Sequence, residues 1–188
     1  IAAGFGIILS QYVGAKNEEK MRQSFAASIL LTIIISVIIT ACTVVLAPTL
    51  LKLMNTNDEF FDYSVQYITA IFGGFGFIMF YNLAAQILRA LGDGTTPLII
   101  LVIAATINLL LDSLLFITDL SVAWAGWATV ISQAISALVG FIIILKKYRV
   151  LRLKKEDFKF SARFAWKHLA VGLPMGFQFT ITAIGTMI

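Results

Sequence analysis

Charged residues divide the 188-residue chain into long apolar segments and short polar connections. Uncharged segments cover residues 23–51, 63–88, 94–111, 120–145 and 169–188, and the third continues past a single acid, Asp112, to residue 118. A helix needs about 20 residues to cross the hydrocarbon core of a bilayer, so each segment is long enough for one crossing. Residues 1–13 have the pattern of the end of another helix. The pattern predicts five full or nearly full spans and part of a first one.

Composition agrees with this pattern. Hydrophobic residues make up 60% of the chain and charged residues 13%, and the mean hydropathy is +0.94. Soluble domains have about 25% charged residues. We therefore predict an all-α integral membrane protein. Both chain ends fall inside apolar segments, so we expect these residues to be part of a longer protein.

The basic residues predict the orientation in the membrane. Thirteen of the fourteen Lys and Arg residues fall in alternate connections, at residues 14–24, 89–97 and 146–168. Cytoplasmic loops of membrane proteins carry such an excess of Lys and Arg. We expect a multi-pass protein of the cell membrane with these three connections in the cytoplasm. Trp124 and Trp127 are expected to anchor the start of one span at the headgroup level.

Nine basic residues lie between positions 146 and 167, with aromatic residues among them. A segment of this kind can lie along the membrane interface, with its cations facing anionic lipid. We expect anionic lipids as partners of this linker and no nucleic acid. His168 and Cys42 are the single histidine and cysteine, so the sequence predicts neither a metal cluster nor an internal disulfide. Cys42 is expected to be a small apolar filler.

Asp112 is the main candidate for function. An ionised side chain in a membrane helix costs about 2.5–3.5 kcal/mol on insertion scales, and such residues commonly face a cavity and bind something. Asn108 precedes Asp112 by four residues, which places both side chains on one helical face. An amide oxygen and a carboxylate can bind a small cation such as Na⁺, or hold a carboxyl group that takes up a proton. The hydroxyl and amide groups of Gln86, Ser132 and Ser136 are instead expected to join neighbouring helices.

Local signals mark the ends and weak points of the helices. Thr96 followed by Pro97 predicts the capped start of a helix, after a tight turn at residues 92–94. Pro174 stands inside the last span, where it removes one backbone hydrogen bond and can kink the helix. Two groups of glycines are consistent with close helix packing, although small residues are common in membrane helices; they are Gly73, Gly74 and Gly76, and Gly172 and Gly176.

Four segments resemble one family in order and spacing. Residues 10–17 (SQYVGAKN) resemble the cytoplasmic end of the second helix of the multidrug and toxic compound extrusion (MATE) transporters. Residues 88–97 (LRALGDGTTP) are similar to that family's loop between helices four and five. Residues 108–112 (NLLLD) resemble its fifth-helix motif, and residues 125–129 (AGWAT) resemble the start of its sixth helix.

The resemblance implies a fold of twelve helices in two pseudo-symmetric lobes, of which this chain is a fragment. Residues 1–145 would form the N-terminal lobe from the end of helix two to helix six. Residues 146–168 would be the basic cytoplasmic linker between the lobes. Residues 169–188 would begin the C-terminal lobe with helix seven.

The resemblance also implies secondary active export of organic, often cationic compounds in exchange for H⁺ or Na⁺, by alternating access and without a cofactor. The cation site of the N-terminal lobe maps onto Asn108, Asp112 and Thr129, together with an acid of the first helix. One branch of the family has an acid on helix seven, where this chain offers only Gln178, Thr180 and Thr182. Coupling through the N-terminal lobe is therefore expected.

Three alternatives remain open at the level of sequence. A flippase of lipid-linked saccharides would need a cationic cavity, and the predicted spans contain no Lys or Arg. An intramembrane enzyme would need a partner for Asp112, such as a second acid or a Ser and His pair. A noncatalytic scaffold or receptor would leave the buried acid unexplained.

Overall fold

The computed structural model describes the backbone of residues 1–53, 58–118 and 123–185. The α-helices are α1 (Ala2–Gly14), α2 (Glu18–Leu53), α3 (Asp58–Gly73), α4 (Phe75–Ala90), α5 (Thr95–Thr118), α6 (Ala123–Lys147) and α7 (Ala162–Gly185). Short 3₁₀ helices follow α6 at Arg149–Leu151 and Lys155–Phe158. The all-α prediction is confirmed. The described parts of α2, α5 and α6 are each long and apolar enough to cross a membrane.

The segment expected to form one span over residues 63–88 is instead two helices. Helices α3 and α4 meet at Gly74 with a bend of 43°, and together they are long and apolar enough for a fourth crossing. Gly74 is at the bend, and a Cβ atom there would overlap the side chain of Val130 on α6. The helix axis therefore changes direction where the backbone lies against Val130 of α6.

The chain divides into two compact units. Unit 1 contains residues 1–32, 82–97 and 140–188, and unit 2 contains residues 33–81 and 98–139. In unit 1, α1 packs against α7 so closely that a Cβ atom on Gly4 would lie 2.5 Å from Cα of Gly172. This contact explains the glycine at position 172, which sequence spacing alone only weakly indicated. Helix α7 continues through Pro174.

His168 lies in the core of unit 1. Its Nε2 is 2.8 Å from Oγ of Ser24, its Nδ1 is 3.0 Å from the carbonyl oxygen of Phe164, and the ring of Phe5 packs edge-on against it. Both ring nitrogens thus have partners, and the side chain is fully buried. The single histidine therefore joins α7 to α2.

Asp93 fixes the turn before α5. Its Oδ1 accepts a hydrogen bond from the backbone N–H of Thr96, so Asp93 is the capping side chain and the expected cap at Thr96 is wrong. Its Oδ2 accepts from the Thr96 hydroxyl at 2.6 Å and from Lys147 Nζ at 2.7 Å. Lys147 and Thr96 together hold the pKa of this carboxyl well below its usual range. Gly92, with φ of +82°, forms the expected tight turn.

Part of the basic linker is packed against the protein. Asp157 is buried, accepts from the backbone of Lys154 and pairs with Arg22 of α2 at 3.2 Å. Leu151 is also buried. Phe158 and Trp166 are exposed, as are the basic residues Arg152, Lys154, Lys155, Lys159, Arg163 and Lys167. The linker is thus attached to α2 through Asp157, and most of its basic side chains remain exposed.

The core of unit 2 is formed by close helix contacts. A Cβ atom on Gly126 of α6 would lie 3.0 Å from Cβ of Ala70 on α3, and one on Gly76 of α4 would lie 3.6 Å from Oγ of Ser36 on α2. Cys42 is exposed on α2, so the expectation that its thiol is a small apolar filler is wrong. It lies in a stretch of α2 with many exposed apolar side chains, which is typical of a surface in contact with lipid.

Candidate cation site on helices α5 and α6

The structure brings Asn108 and Thr129 together within unit 2. Asn108 Nδ2, on α5, donates a hydrogen bond of 3.4 Å to Thr129 Oγ1, on α6. The Thr129 hydroxyl in turn donates to the carbonyl oxygen of Ala125 at 3.2 Å. The Asn108 amide donates through its nitrogen in this arrangement, so its carbonyl oxygen is the atom available to a cation.

Asp112 follows Asn108 by one helical turn. The side chain is partly buried, and its Oδ1 atom is buried and has no hydrogen-bond partner within the described part of the chain. A buried carboxylate oxygen without a partner is unfavourable, and the cost falls when a proton or a cation binds. Carboxylate, amide and hydroxyl oxygens are hard ligands, which suit H⁺ or an alkali cation better than a soft metal.

Trp124 contacts the same region, although the sequence predicted only an interfacial anchor. Its Nε1 donates a hydrogen bond of 2.9 Å to the carbonyl oxygen of Leu111, the residue before Asp112. The bond joins the first turn of α6 to α5 beside the acid. A tryptophan that is partly buried needs a partner for its indole N–H, and this need is the one sequence signal that could have indicated the contact. Trp127, by contrast, is 48% exposed.

The expectation that Ser132 and Ser136 join neighbouring helices is wrong, because both hydroxyls bond within α6 itself. Ser132 and Ser136 of α6 are buried, and their Oγ atoms donate to the carbonyl oxygens of Thr129 and Ser132 at 2.8 and 2.7 Å. Gln133, between them, has a buried Oε1 atom that receives no hydrogen bond from the residues that the structure describes. Nothing in the sequence distinguished Gln133 from its neighbours.

The polar residues of helix α7 considered above belong to unit 1. Gln178, Thr180 and Thr182 are exposed in unit 1, and the two threonine hydroxyls donate to carbonyl oxygens of their own helix at 3.1 and 2.9 Å. The candidate site therefore consists of Asn108, Asp112 and Thr129, on two adjacent helices of one unit.

Comparisons with known proteins agree on one family. A model of the MatE family matches residues 1–114. A probable multidrug resistance protein of Bacillus subtilis (strain 168), YpnP, is 29% identical over 185 residues, which are 96% of this chain and 40% of YpnP.

Two solved structures of multidrug resistance MATE family transporters of the MOP superfamily also match. One, in an inward-facing conformation, has a TM-score of 0.81 and 26% identity, and the match covers 92% of this chain and 41% of that chain. The other, in an outward-facing conformation, has a TM-score of 0.88 and 24% identity over 99% of this chain and 43% of that chain. The chain thus spans about 40% of the length of these relatives.

Proposed function

The chain belongs to the MATE family, and on that basis we propose that the whole protein is a secondary active antiporter. It exports organic, often cationic compounds in exchange for H⁺ or Na⁺. The similarity to YpnP and to solved multidrug transporters supports this class of substrate.

One observation carries the proposal: a carboxylate oxygen of Asp112 is buried and has no hydrogen-bond partner among the residues that the structure describes, one turn from the Asn108 and Thr129 pair. A membrane helix needs no acid for packing alone, because amides and hydroxyls can join helices at lower cost. Binding of a cation lowers the free-energy cost of a carboxylate in this setting, and the cost returns when the cation leaves. We therefore assign Asp112 as the coupling residue, and Asn108 and Thr129 as its partners.

The coupling follows from the charge of Asp112. The ionised acid takes up H⁺ or Na⁺ from the outside, and neutralisation removes the cost of the buried charge. The bound and unbound forms then favour different packing of α5 and α6, and this difference drives release of the organic compound outside. Transporters of this type rock two lobes around a central site. Likeness to relatives solved in inward-facing and outward-facing conformations supports alternating access.

The orientation is part of the same proposal. Connections 14–24, 89–97 and 146–168 lie in the cytoplasm, and the protein resides in the cell membrane. The exposed cations of the linker, with Phe158 and Trp166 exposed among them, suit a surface that lies along anionic lipid.

A vesicle assay tests the function. The full-length protein is reconstituted, and extrusion of ethidium is followed by fluorescence under an imposed H⁺ or Na⁺ gradient. We expect transport that depends on one of these gradients and stops when the gradient is dissipated. Ethidium movement that ignores both gradients would contradict the antiport proposal, and no movement of any organic cation would favour a scaffold or receptor.

A further inference from the structure

Gln133 lies on α6 one helical turn after Thr129, so the two side chains share a face of the helix. Its Oε1 atom is buried and accepts no hydrogen bond from the described residues of the chain. A buried amide oxygen nearly always has a donor in native proteins, so an exception calls for an explanation.

The direction in which the Gln133 side chain points can be inferred from the exposed residues of α6. Trp127 and Leu138 are 48% and 65% exposed, and they mark the side of α6 that faces away from unit 2. At about 100° per residue, Gln133 lies about 120° from Trp127 and about 140° from Leu138 around the helix axis. The glutamine therefore points away from the exposed side, as Thr129 does.

Neighbouring hydroxyls do not supply the missing donor. Ser132 and Ser136 donate to carbonyl oxygens of α6 itself, and Thr129 donates to the carbonyl oxygen of Ala125. A hydroxyl has a single proton to donate, so each of the three is already used. The hydrogen bond to Gln133 Oε1 must come from a group that is not one of these.

We propose that Gln133 is a specificity-determining residue whose amide oxygen accepts a hydrogen bond from an N–H group of the transported organic cation. The inference rests on the proposed transport function and adds the chemistry of substrate selection to it. Asp112 carries a charge and serves the coupling ion, whereas Gln133 is neutral and distinguishes substrates with a donor from those without one. A site built to bind an N–H group discriminates against analogues that lack it, because its own polar atom then stays unpaired.

The experiment compares an organic cation that has N–H donors with one that has none. Ethidium has aromatic N–H donors, and tetraphenylphosphonium has none. Gln133→Met keeps the length of the side chain and removes the amide; Gln133→Glu keeps an acceptor oxygen. KM and maximal rate of both cations are measured for the full-length protein in vesicles. Gln66→Met is the control, because Gln66 is an exposed glutamine of the same unit.

We expect Gln133→Met to raise the KM of ethidium by about threefold to tenfold relative to that of tetraphenylphosphonium, with the gradient dependence unchanged. Gln133→Glu should retain the preference for ethidium, and Gln66→Met should leave both KM values as in the wild type. Gln133→Leu and the thermal unfolding midpoint of each variant separate an effect on recognition from a loss of folded protein.

Two outcomes with the variants would overturn the inference alone. One is an equal change in both KM values, which would mean that Gln133 pairs with another part of the protein. The other is a KM ratio unchanged from the wild type in Gln133→Met, which would mean that the amide does not contact the substrate. A wild-type protein that transports tetraphenylphosphonium but not ethidium would also exclude donor recognition. Failure of the wild type to transport either cation would overturn the proposed function and this inference with it.

Discussion

A Cβ atom on Gly74 would lie 2.8 Å from Cβ of Val130 and closer still to the methyl groups of that valine. Real Cβ contacts are longer, so α4 and α6 can meet here only because residue 74 has no side chain. The bend of 43° between α3 and α4 occurs at the same residue. Gly74 is thus both the point at which the broken helix bends and the point at which it packs against Val130 of α6.

Gly74→Ala should therefore destabilise the protein. Val130 is β-branched and has few rotamers with which to avoid the added methyl group. Overpacking of this kind costs about 1–3 kcal/mol, which should lower the thermal unfolding midpoint of the purified protein in detergent. Gly73→Ala is the matched control, since a Cβ atom there meets nothing within 4 Å. Rescue of Gly74→Ala by Val130→Ala would identify the contact, whereas an unchanged midpoint in Gly74→Ala would exclude it.

Asp112→Asn should abolish ion-coupled efflux while the protein stays folded. The amide cannot carry the charge that H⁺ or Na⁺ would neutralise, although it fills the same space. Efflux of ethidium under an imposed gradient is the measurement, and the unfolding midpoint reports on folding. Asp62→Asn is the control, because Asp62 is exposed on α3. Wild-type coupling in Asp112→Asn would refute the assignment of the coupling residue.

Thr129→Val should weaken the binding of the coupling ion, whereas Thr129→Ser should preserve it. Valine keeps the shape of threonine but offers no oxygen to Asn108 Nδ2. Polar contacts between membrane helices average about 0.6 kcal/mol, so the ion concentration for half-maximal transport should rise by about threefold. Equal behaviour of the two variants would show that the hydroxyl is not part of the site.

Asp93→Asn should change the response of the protein to acid. The folded-state pKa of Asp93 is below its unfolded value, so its stabilising contribution is fully present above the unfolded pKa of about 3.9 and is lost progressively as the pH falls from there through the lower folded-state pKa. At pH 7 the variant should lose about 1–3 kcal/mol, because the ionised partner of Lys147 and Thr96 is gone.

Unfolding midpoints at pH 7 and pH 3.5 test this expectation. The wild type should lose more stability than Asp93→Asn over this interval. Glu156→Gln, at an exposed acid of the linker, should behave like the wild type. The same pH response in wild type and Asp93→Asn would mean that the ion pair with Lys147 contributes little.

The sequence predicted the helical class and the close approach of Asn108 and Thr129. Long uncharged segments have few alternatives to a membrane helix, and the family resemblance supplied the pairing of α5 with α6. The sequence did not predict the break at Gly74 or its close contact with Val130, which lies 56 positions later on another helix. The bonds from Trp124 to Leu111 and from Lys147 to Asp93 were missed as well. Hydrophobic patterns report the local environment of a residue, whereas these contacts depend on which helices become neighbours.

Unit 1 depends on bonds between residues far apart along the chain. Ser24 meets His168 across 144 positions, and Arg22 meets Asp157 across 135. During synthesis on the ribosome, Ser24 of α2 therefore cannot bond to His168 until α7 has emerged, and Arg22 cannot bond to Asp157 until the linker has emerged. Closing so long a loop costs chain entropy, and contacts of high sequence separation form late. The order of translation thus places completion of unit 1 after the synthesis of α2 to α6, when α7 becomes available.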